Sequence, residues 1–526
     1  MFWIIVSVTV VLLIVWSFYI QPYKHWKNMG VPQLNPWIFL GDTWPTLFRT
    51  MDLMKWMDWV HYMHPKSKYV GIYQFYKPTL WLKDPDIIKQ IAVKDFDYFT
   101  DHTSFAVSED VDPLWSKNLL ALKGQKWRDM RSLLSGSFTS SKIRIMFGLI
   151  TEESEKFVNY FLKENKDFLE VELKDKFTRF TNDVIASTSF GIKVDSLENP
   201  DNDFFRMGKE VTNFSGLVTL LKTLGLVICP WLLKLFKIGI LPKRVSDFFL
   251  AIINDTIKIR EEQGIVRPDM INLLLEVKKG LNKTEEKYIP DSGFAVVKES
   301  SHLVKPYQKQ VEITNIDIAS QALLFFLAGF DTVSSAMCYA CYELAINPDI
   351  QDKLRKEIKE VFEETDGKPS YETILGMKYM DMVVSETLRK WPVAPIADRT
   401  CVKPYILKPM SPGDPTVCFG KADTIWIPIY NIHHDPQYYP DPEKLIPDRF
   451  SEENKGKINP YTYLPFGIGP RACIGSRFAL LEMKSVLFHL LNYFEIVPVE
   501  KTQIPLKLGK SSFTPEGGFP LGLKRV

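Results

Sequence analysis

The run Phe466-Gly467-Ile468-Gly469-Pro470-Arg471-Ala472-Cys473-Ile474-Gly475 decides how this chain is read. Three glycines in so short a stretch let backbone come close to a flat object. Cys473 ends the turn just before an apolar helical pattern over residues 476–491. A helix N-terminus favours a thiolate. A thiolate is a ligand for iron or zinc, or a nucleophile. Zinc would want a second Cys or His at ligand spacing, and a nucleophile would want a nearby His base. The local sequence supplies neither. Gly467-Ile468-Gly469 lacks the third glycine of a dinucleotide-binding loop. Arg471, two residues before the cysteine, is placed to pair with an acidic group of the bound object.

Outward from this run, the composition is that of a folded chain. Of 526 residues, 46% are apolar and 24% charged, which excludes a disordered protein and a polytopic transporter. Sixty-five basic and sixty-three acidic residues leave a net charge of +2. That is no global field for holding nucleic acid, so no nucleic-acid partner is expected. Six cysteines do not make a disulfide framework.

Residues 1–20 carry no charge; as a helix they span ~30 Å, the thickness of a bilayer core. Lys24, His25 and Lys27 follow at once, which puts the rest of the chain on the cytosolic side. A cleaved signal peptide would want a basic start and a small-x-small cleavage site, and neither is present. The expected organisation is a transmembrane anchor over 1–20, a proline-containing tether over 21–42 and a single domain over 43–526. Residues 278–311 read as an exposed loop. Residues 217–241 are apolar but interrupted by Lys222, Pro230, Lys234 and Lys237; they read either as an interfacial segment or as a core helix pair. Sequons at Asn213, Asn254 and Asn282 offer a check on orientation, since a cytosolic body would not be glycosylated there.

The longest helical pattern covers residues 313–345, with Thr314 or Asn315 as its cap and Asn347-Pro348 as its stop. Gly329 in its middle costs about 1 kcal/mol against alanine, and a kink opening a groove accounts for it. Asp331 and Thr332 offer a carboxylate and a hydroxyl for relaying protons; the bland alternative is a surface Asp and a core-facing Thr. Residues 349–364 read as a surface helix, and 70–73, 80–82 and 424–427 as short strands. The fold class is therefore mainly α with small β-sheets. Cys338 and Cys341, one turn apart in an apolar helix, read as buried thiols rather than a redox pair. His433 and His434 read as loop polar groups, because no partner metal ligands stand near them in sequence.

Phe466, Gly469, Arg471, Cys473 and Gly475 meet all five fixed positions of Phe-x-x-Gly-x-Arg-x-Cys-x-Gly, and here the chain resembles the cytochrome P450 family. Companion motifs follow in family order: Trp127 and Arg131, Ala328-Gly329-Phe330-Asp331-Thr332, Glu386-Thr387-Leu388-Arg389, and Pro447-Asp448-Arg449-Phe450. The resemblance covers essentially the whole chain. Val333 and Leu445 depart from it, standing where relatives usually carry a hydroxyl residue and a phenylalanine.

The resemblance implies a P450 fold in which residues 43–526 are the catalytic domain. It implies a haem b whose iron is held by Cys473, with contacts from Phe466, Gly467, Gly469 and Ala328. Trp127, Arg131, Arg399, Arg471 and His102 would bond the propionates. Asp331 and Thr332 would deliver protons, and Glu386, Arg389 and Arg449 would form a buried structural triad. Leu324, Leu327, Val393, Ala394 and Phe513 would line an apolar substrate pocket, with parts of the 104–120 and 210–240 regions. The implied reaction inserts one atom of O2 into a lipophilic small molecule. No flavin or nicotinamide fingerprint is present, so the NADPH-derived electrons would come from NADPH–cytochrome P450 reductase, with cytochrome b5 as a further partner. Lys123, Lys126, Arg128, Arg477 and Lys484 would offer a basic docking patch. Gly30-Val31-Pro32 and the segments 325–332 and 475–482 resemble the insect microsomal branch. They imply a xenobiotic substrate and an endoplasmic reticulum membrane location. An endogenous lipid or hormone substrate, a redox-partner-independent isomerase or dehydratase, and a non-catalytic haem or lipid binder are the rivals.

Overall fold

The computed structural model describes residues 2–16, 21–103, 109–213, 221–222, 224–225, 230–267, 269–279, 293–296, 313–509 and 514–526. Its principal helices are α1 (Phe2–Val15), α2 (Gly124–Ser135), α3 (Ser140–Leu162), α4 (Leu173–Ile185) and α5 (Asp203–Thr212). They continue with α6 (Lys243–Gln263), α7 (Asn315–Ile346), α8 (Pro348–Glu364), α9 (Lys378–Lys390) and α10 (Ser476–Tyr493).

The long helix α7 forms because its ends are written into the chain. Thr314 accepts from the Asp317 N–H at 3.2 Å while Asp317 accepts from the Thr314 N–H at 2.9 Å, a reciprocal cap. Asn347 stops it and Pro348 opens α8. Among the described residues α7 is the one helix long and apolar enough to cross a membrane, yet it lies mostly buried in the core. It packs on α4, α5 and α6. Helical hydrogen bonding continues through Gly329. The residue has a packing reason as well, since a Cβ there would lie 2.9 Å from Ile185 Cδ1 on α4. The Thr181 hydroxyl, also on α4, donates to the Phe330 carbonyl at 2.8 Å. Cys338 and Cys341 face the core and are fully buried.

The strands are β1 (Tyr69–Gln74), β2 (Lys77–Leu82), β3 (Phe168–Glu172), β4 (Ala397–Thr400), β5 (Tyr405–Leu407), β6 (Val417–Phe419), β7 (Thr424–Ile427), β8 (Phe494–Pro498) and β9 (Pro520–Arg525). They form sheets ordered β1-β2-β7-β4, β3-β9-β8 and β5-β6. The first sheet positions the site: β7 runs parallel to β2 and antiparallel to β4, with Arg399 opposite Ile425. Trp56, Trp81 and Trp426 pack together beneath it.

The expected tether is in part a piece of the body. Trp26 is fully buried, and a Cβ on Gly71 of β1 would come within 2.3 Å of its ring. Val31, Leu34 and Asp42 are buried as well. The first helix spans fourteen residues, and residues 17–20 of the expected anchor lie outside the described set. So do most of 278–311, much of 217–241, Phe513, part of the sequon at Asn213 and all of the sequon at Asn282.

Candidate active site

Three elements converge on the cysteine loop. The first is α2, whose Trp127 and Arg131 stand one turn apart and are both buried. The second is β4, which is bridged by residues 98–103: the Thr400 N–H donates to the Asp101 carbonyl at 2.7 Å. That pairing brings His102 Nδ1 to 2.8 Å from Asp398. The third is the loop itself, folded back so that the Cys473 N–H donates to the Phe466 carbonyl at 2.8 Å.

Arg471 joins them. Its guanidinium stacks 4.0 Å over the Trp127 ring and donates to the carbonyls of Thr100 at 2.8 Å, Leu119 at 3.2 Å and Leu122 at 2.9 Å. Residues 114–122 reach α7 in turn: Ser320 donates to the Leu114 carbonyl, and Gln321 accepts from the Leu119 N–H. Cysteine loop and central helix are thus connected through one strip of chain.

The electrostatics are those of a site built for an anion. Arg131, Arg399 and Arg471 are all deeply buried. Burial, then the neighbouring Arg399 charge, bring Arg471 down to about 9, against the pull of Asp101 and Asp398. Burial brings Arg399 down to about 10. Burial alone would raise Asp398, but the His102 hydrogen bond and charge and the Thr103 N–H outweigh it and hold the carboxyl at about 2. Asp398 stays ionised, and burial draws His102 down against the pull of its Asp398 hydrogen bond. Asp101 stands 3.7 Å from Arg471. Among the described residues, Arg471 and Arg399 stand beside Asp101 and Asp398, the latter bonded to His102, and Arg131 adds its charge next to Arg471. Arg399 donates to the Asp398 and Ile468 carbonyls, but its Nε is buried and has no hydrogen-bond partner among the described residues. A buried donor of that kind costs ~1–3 kcal/mol until an acceptor meets it. A flat dicarboxylic acid such as haem fits both the guanidinium charge and the open donor.

Cys473 is exposed although it lies deep in the fold. Burial raises its thiol, while the Gly475 N–H and the Arg131 charge draw it down. On α7, a helix otherwise mostly buried, Ala328 and Thr332 are exposed one turn apart, with Asp331 exposed beside Thr332. Exposure there leaves room for a chamber along this helix. Leu324 and Leu327 are half-buried on the same helix, and Val393 and Ala394 are accessible just beyond α9. Phe325 meets Phe138 edge-on at 5.3 Å, and Gly475 lies against the Phe138 ring. Thr332 Oγ1 donates to the Ala328 carbonyl at 2.5 Å, which leaves its lone pairs available. Asp331 pairs with Lys174 of α4 at 2.7 Å, and the same ammonium reaches Ser334 and Ser335. No local signal marks Lys174 in the sequence.

The glycines of the loop have distinct reasons. A Cβ on Gly469 (φ +70°) would strike the Ala92 carbonyl oxygen at 2.1 Å, so this residue admits the protein's own backbone. Gly467 (φ +75°) has only Ala472 Cα nearby, at 3.8 Å. Phe466 is half-buried against the main core.

Behind the loop, Glu386 and Arg389 are fully buried and bonded at 2.7 Å, and Arg449 reaches Glu386 at 3.3 Å. The basic patch needs correction. Lys484 is fully buried and bonded to Asp381 at 2.8 Å, so it offers nothing to a docking partner. Arg128 pairs with Asp97. Lys123 and Lys126 are exposed.

Comparison with known proteins places this geometry. A cytochrome P450 family model matches residues 32–521. Cytochrome P450 9e2 of Blattella germanica is 43% identical, with the alignment covering 98% of this chain and 97% of that protein. Probable cytochrome P450 9f2 of Drosophila melanogaster is 39% identical over 94% of this chain and 93% of its own. Cytochrome P450 6k1 of Blattella germanica is 36% identical over 98% and 96%. The match runs through both halves of the site, from the Trp127 helix to the Cys473 loop, and the chain belongs to the cytochrome P450 family of haem-thiolate monooxygenases.

Proposed function

We propose that this monooxygenase inserts one atom of O2 into a lipophilic xenobiotic, an insecticide or plant toxin, using electrons that NADPH–cytochrome P450 reductase draws from NADPH. Cytochrome b5 serves as a second electron donor. Residues 1–20 anchor the protein in the endoplasmic reticulum membrane, and the catalytic domain, 43–526, faces the cytosol. The observation that carries the reading is the accessible Cys473 set beside the buried guanidiniums of Arg399 and Arg471. The insect relatives and the apolar lining by Leu324, Leu327, Val393 and Ala394 support the substrate class.

In this reading Cys473 holds the haem iron, and Arg131, Arg399, Arg471, Trp127 and His102 hold its propionates. The bound haem supplies oxygen activation. Glu386, Arg389 and Arg449 hold the base of the loop. Thr332 Oγ1, already donating to Ala328, accepts a hydrogen bond from a water and holds it on the chamber side of α7. Asp331, held by Lys174, relays protons from solvent to that water. The half-buried leucines exclude bulk water and orient an apolar substrate by shape. Lys123, Lys126 and Arg477 remain as the docking patch for an acidic flavoprotein surface.

The test is the carbon-monoxide difference spectrum of the reduced full chain, beside Cys473→Ser. A strongly red-shifted Soret band that the variant loses supports the reading, and well-folded protein without any haem band refutes it. NADPH-dependent oxidation of lipophilic compounds in membranes with reductase then tests substrate and electron source, with Thr332→Ala expected to uncouple electron use from product. Asn254 lies exposed on α6, and a glycan there would overturn the cytosolic orientation.

A further inference from the structure

His433 ends a short helix, Ile429–His433, and is fully buried. Both of its ring nitrogens are engaged by backbone. Nδ1 lies 2.9 Å from the Arg389 carbonyl oxygen in the last turn of α9, and Nε2 lies 2.8 Å from the Leu464 amide nitrogen. A carbonyl only accepts and an amide N–H only donates. The ring must therefore donate from Nδ1 and accept at Nε2, which is the neutral imidazole in a single tautomer. The opposite tautomer would leave two buried backbone groups unpaired.

The surroundings hold the ring in place. Arg389 Nη1 donates back to the His433 carbonyl at 2.8 Å. Tyr463 stacks on the imidazole at 5.7 Å and 15°. The Tyr463 hydroxyl donates to the Ser385 carbonyl at 2.9 Å. Ser385 and Arg389 stand one turn apart on α9, so residues 463 and 464 are tied to that helix at two successive levels. Leu464 is also where the cysteine loop begins. Its carbonyl accepts from the Gly467 N–H at 3.0 Å, and the Phe466 carbonyl accepts from the Cys473 N–H at 2.8 Å. A line of backbone hydrogen bonds thus leads from α9 through the imidazole into the turn that presents the thiol.

We propose that His433 is a positioning residue for Cys473: its neutral ring fixes the root of the cysteine loop to the Glu386–Arg389 helix. The geometry stands by itself, while its consequence for the thiolate rests on the haem-thiolate reading.

Three variants of the haem-loaded full chain test this. His433→Phe keeps the stack on Tyr463 and removes both hydrogen bonds. His433→Gln keeps an acceptor within reach of Leu464, and His433→Asn keeps a donor for Arg389 but cannot serve Leu464. Amide exchange is followed by fragmentation-resolved mass spectrometry at Leu464, Gly467 and Cys473. The fraction of haem in the thiolate form is read in parallel from the carbon-monoxide difference spectrum. In the Phe and Asn variants, exchange at Gly467 and Cys473 is expected to quicken roughly tenfold or more, with a falling thiolate fraction. The Gln variant is expected near wild type in both. The proposal is overturned if only Leu464 exchanges faster, or if Gln and Asn behave alike. Should the Phe variant fail to fold, the Gln–Asn contrast still decides. A wild-type protein without a thiolate spectrum would refute the haem reading alone, and the exchange at Gly467 and Cys473 would still judge the clamp.

Discussion

Replacing Glu386 by Gln should cost the protein roughly 3 kcal/mol of stability or more. The Glu386 carboxylate accepts from Arg389 Nε at 2.7 Å, Arg389 Nη2 at 3.0 Å, the Ile446 N–H at 3.0 Å and Arg449 Nε at 3.3 Å. Both Glu386 and Arg389 are 0% exposed. Glutamine keeps one acceptor and turns an amide NH2 toward guanidinium donors. Breaking a buried pair by removing one partner costs ~3–5 kcal/mol, because the other charge is left uncompensated. The lower end applies here, since Arg389 retains the carbonyls of His433 at 2.8 Å and Pro442 at 2.7 Å. The urea dependence is ~1–3 kcal/mol per molar for small proteins and grows with size, so the midpoint should fall by about 1 M at most in a chain of 526 residues. The assay is urea unfolding of the haem-loaded chain, followed by tryptophan fluorescence and by haem absorbance. Glu452→Gln is the control, because Glu452 forms an exposed pair with Lys455 at 2.7 Å. If Glu386→Gln moved the midpoint no further than Glu452→Gln, the argument that desolvation makes this pair costly to break would be wrong.

Gly191→Ala should destabilise by more than the ~1 kcal/mol that a left-handed backbone costs alanine. Gly191 has φ +68°, and its Cβ would lie 2.0 Å from Arg260 Nη2 and 2.6 Å from Asp269 Oδ2, splitting a buried ion pair; a thermal midpoint equal to wild type would contradict this. Asp42→Asn tests pH dependence. Burial raises the Asp42 carboxyl to about 7, against the Tyr73 N–H that it accepts. The folded state therefore holds this proton more tightly than the unfolded chain, whose value is ~3.9. The stability it gives is full below that lower value and is lost as pH rises through about 7. The Asn variant escapes the loss, so its midpoint should gain on wild type from about pH 4 to about pH 7 and keep a constant lead above it; a gap that stays constant from about pH 4 to 7 would refute the assignment. Arg399→Met removes the buried Nε that has no partner among the described residues. Haem should then pass to an excess of acceptor protein roughly tenfold faster or more, and an unchanged transfer rate would remove Arg399 from the cradle.

Much of this was legible because the signals are local. Thr314 and Asn347-Pro348 mark both ends of α7, and the strands β1, β2 and β7 follow from short β-branched and aromatic runs. The cysteine loop and its companion motifs could be named residue by residue, and the structure gathers Trp127, Arg131, Arg399, Arg471 and His102 around it. What escaped depends on partners distant in sequence. A mid-helix glycine carries no sign in sequence of the neighbour that approaches it, here Ile185. Lys484 reads as surface charge until α9 sets Asp381 beside it. His433 resembles any loop histidine until its two backbone partners come from different parts of the chain. Nothing in residues 21–42 shows in sequence that Trp26 packs against Gly71 of a distant strand.

The joint between α4 and α7 limits how this protein can be recombined with its relatives. Lys174, Thr181 and Ile185 lie along α4 and engage Asp331, the Phe330 carbonyl and Gly329 in turn. A chimaera with a crossover between these helices would inherit half of each contact from a different parent. A larger residue opposite Gly329, or a shorter one opposite Asp331, would then move the segment that carries Thr332. Crossovers that keep α4 and α7 from one parent should yield folded, haem-loaded offspring far more often than those that part them.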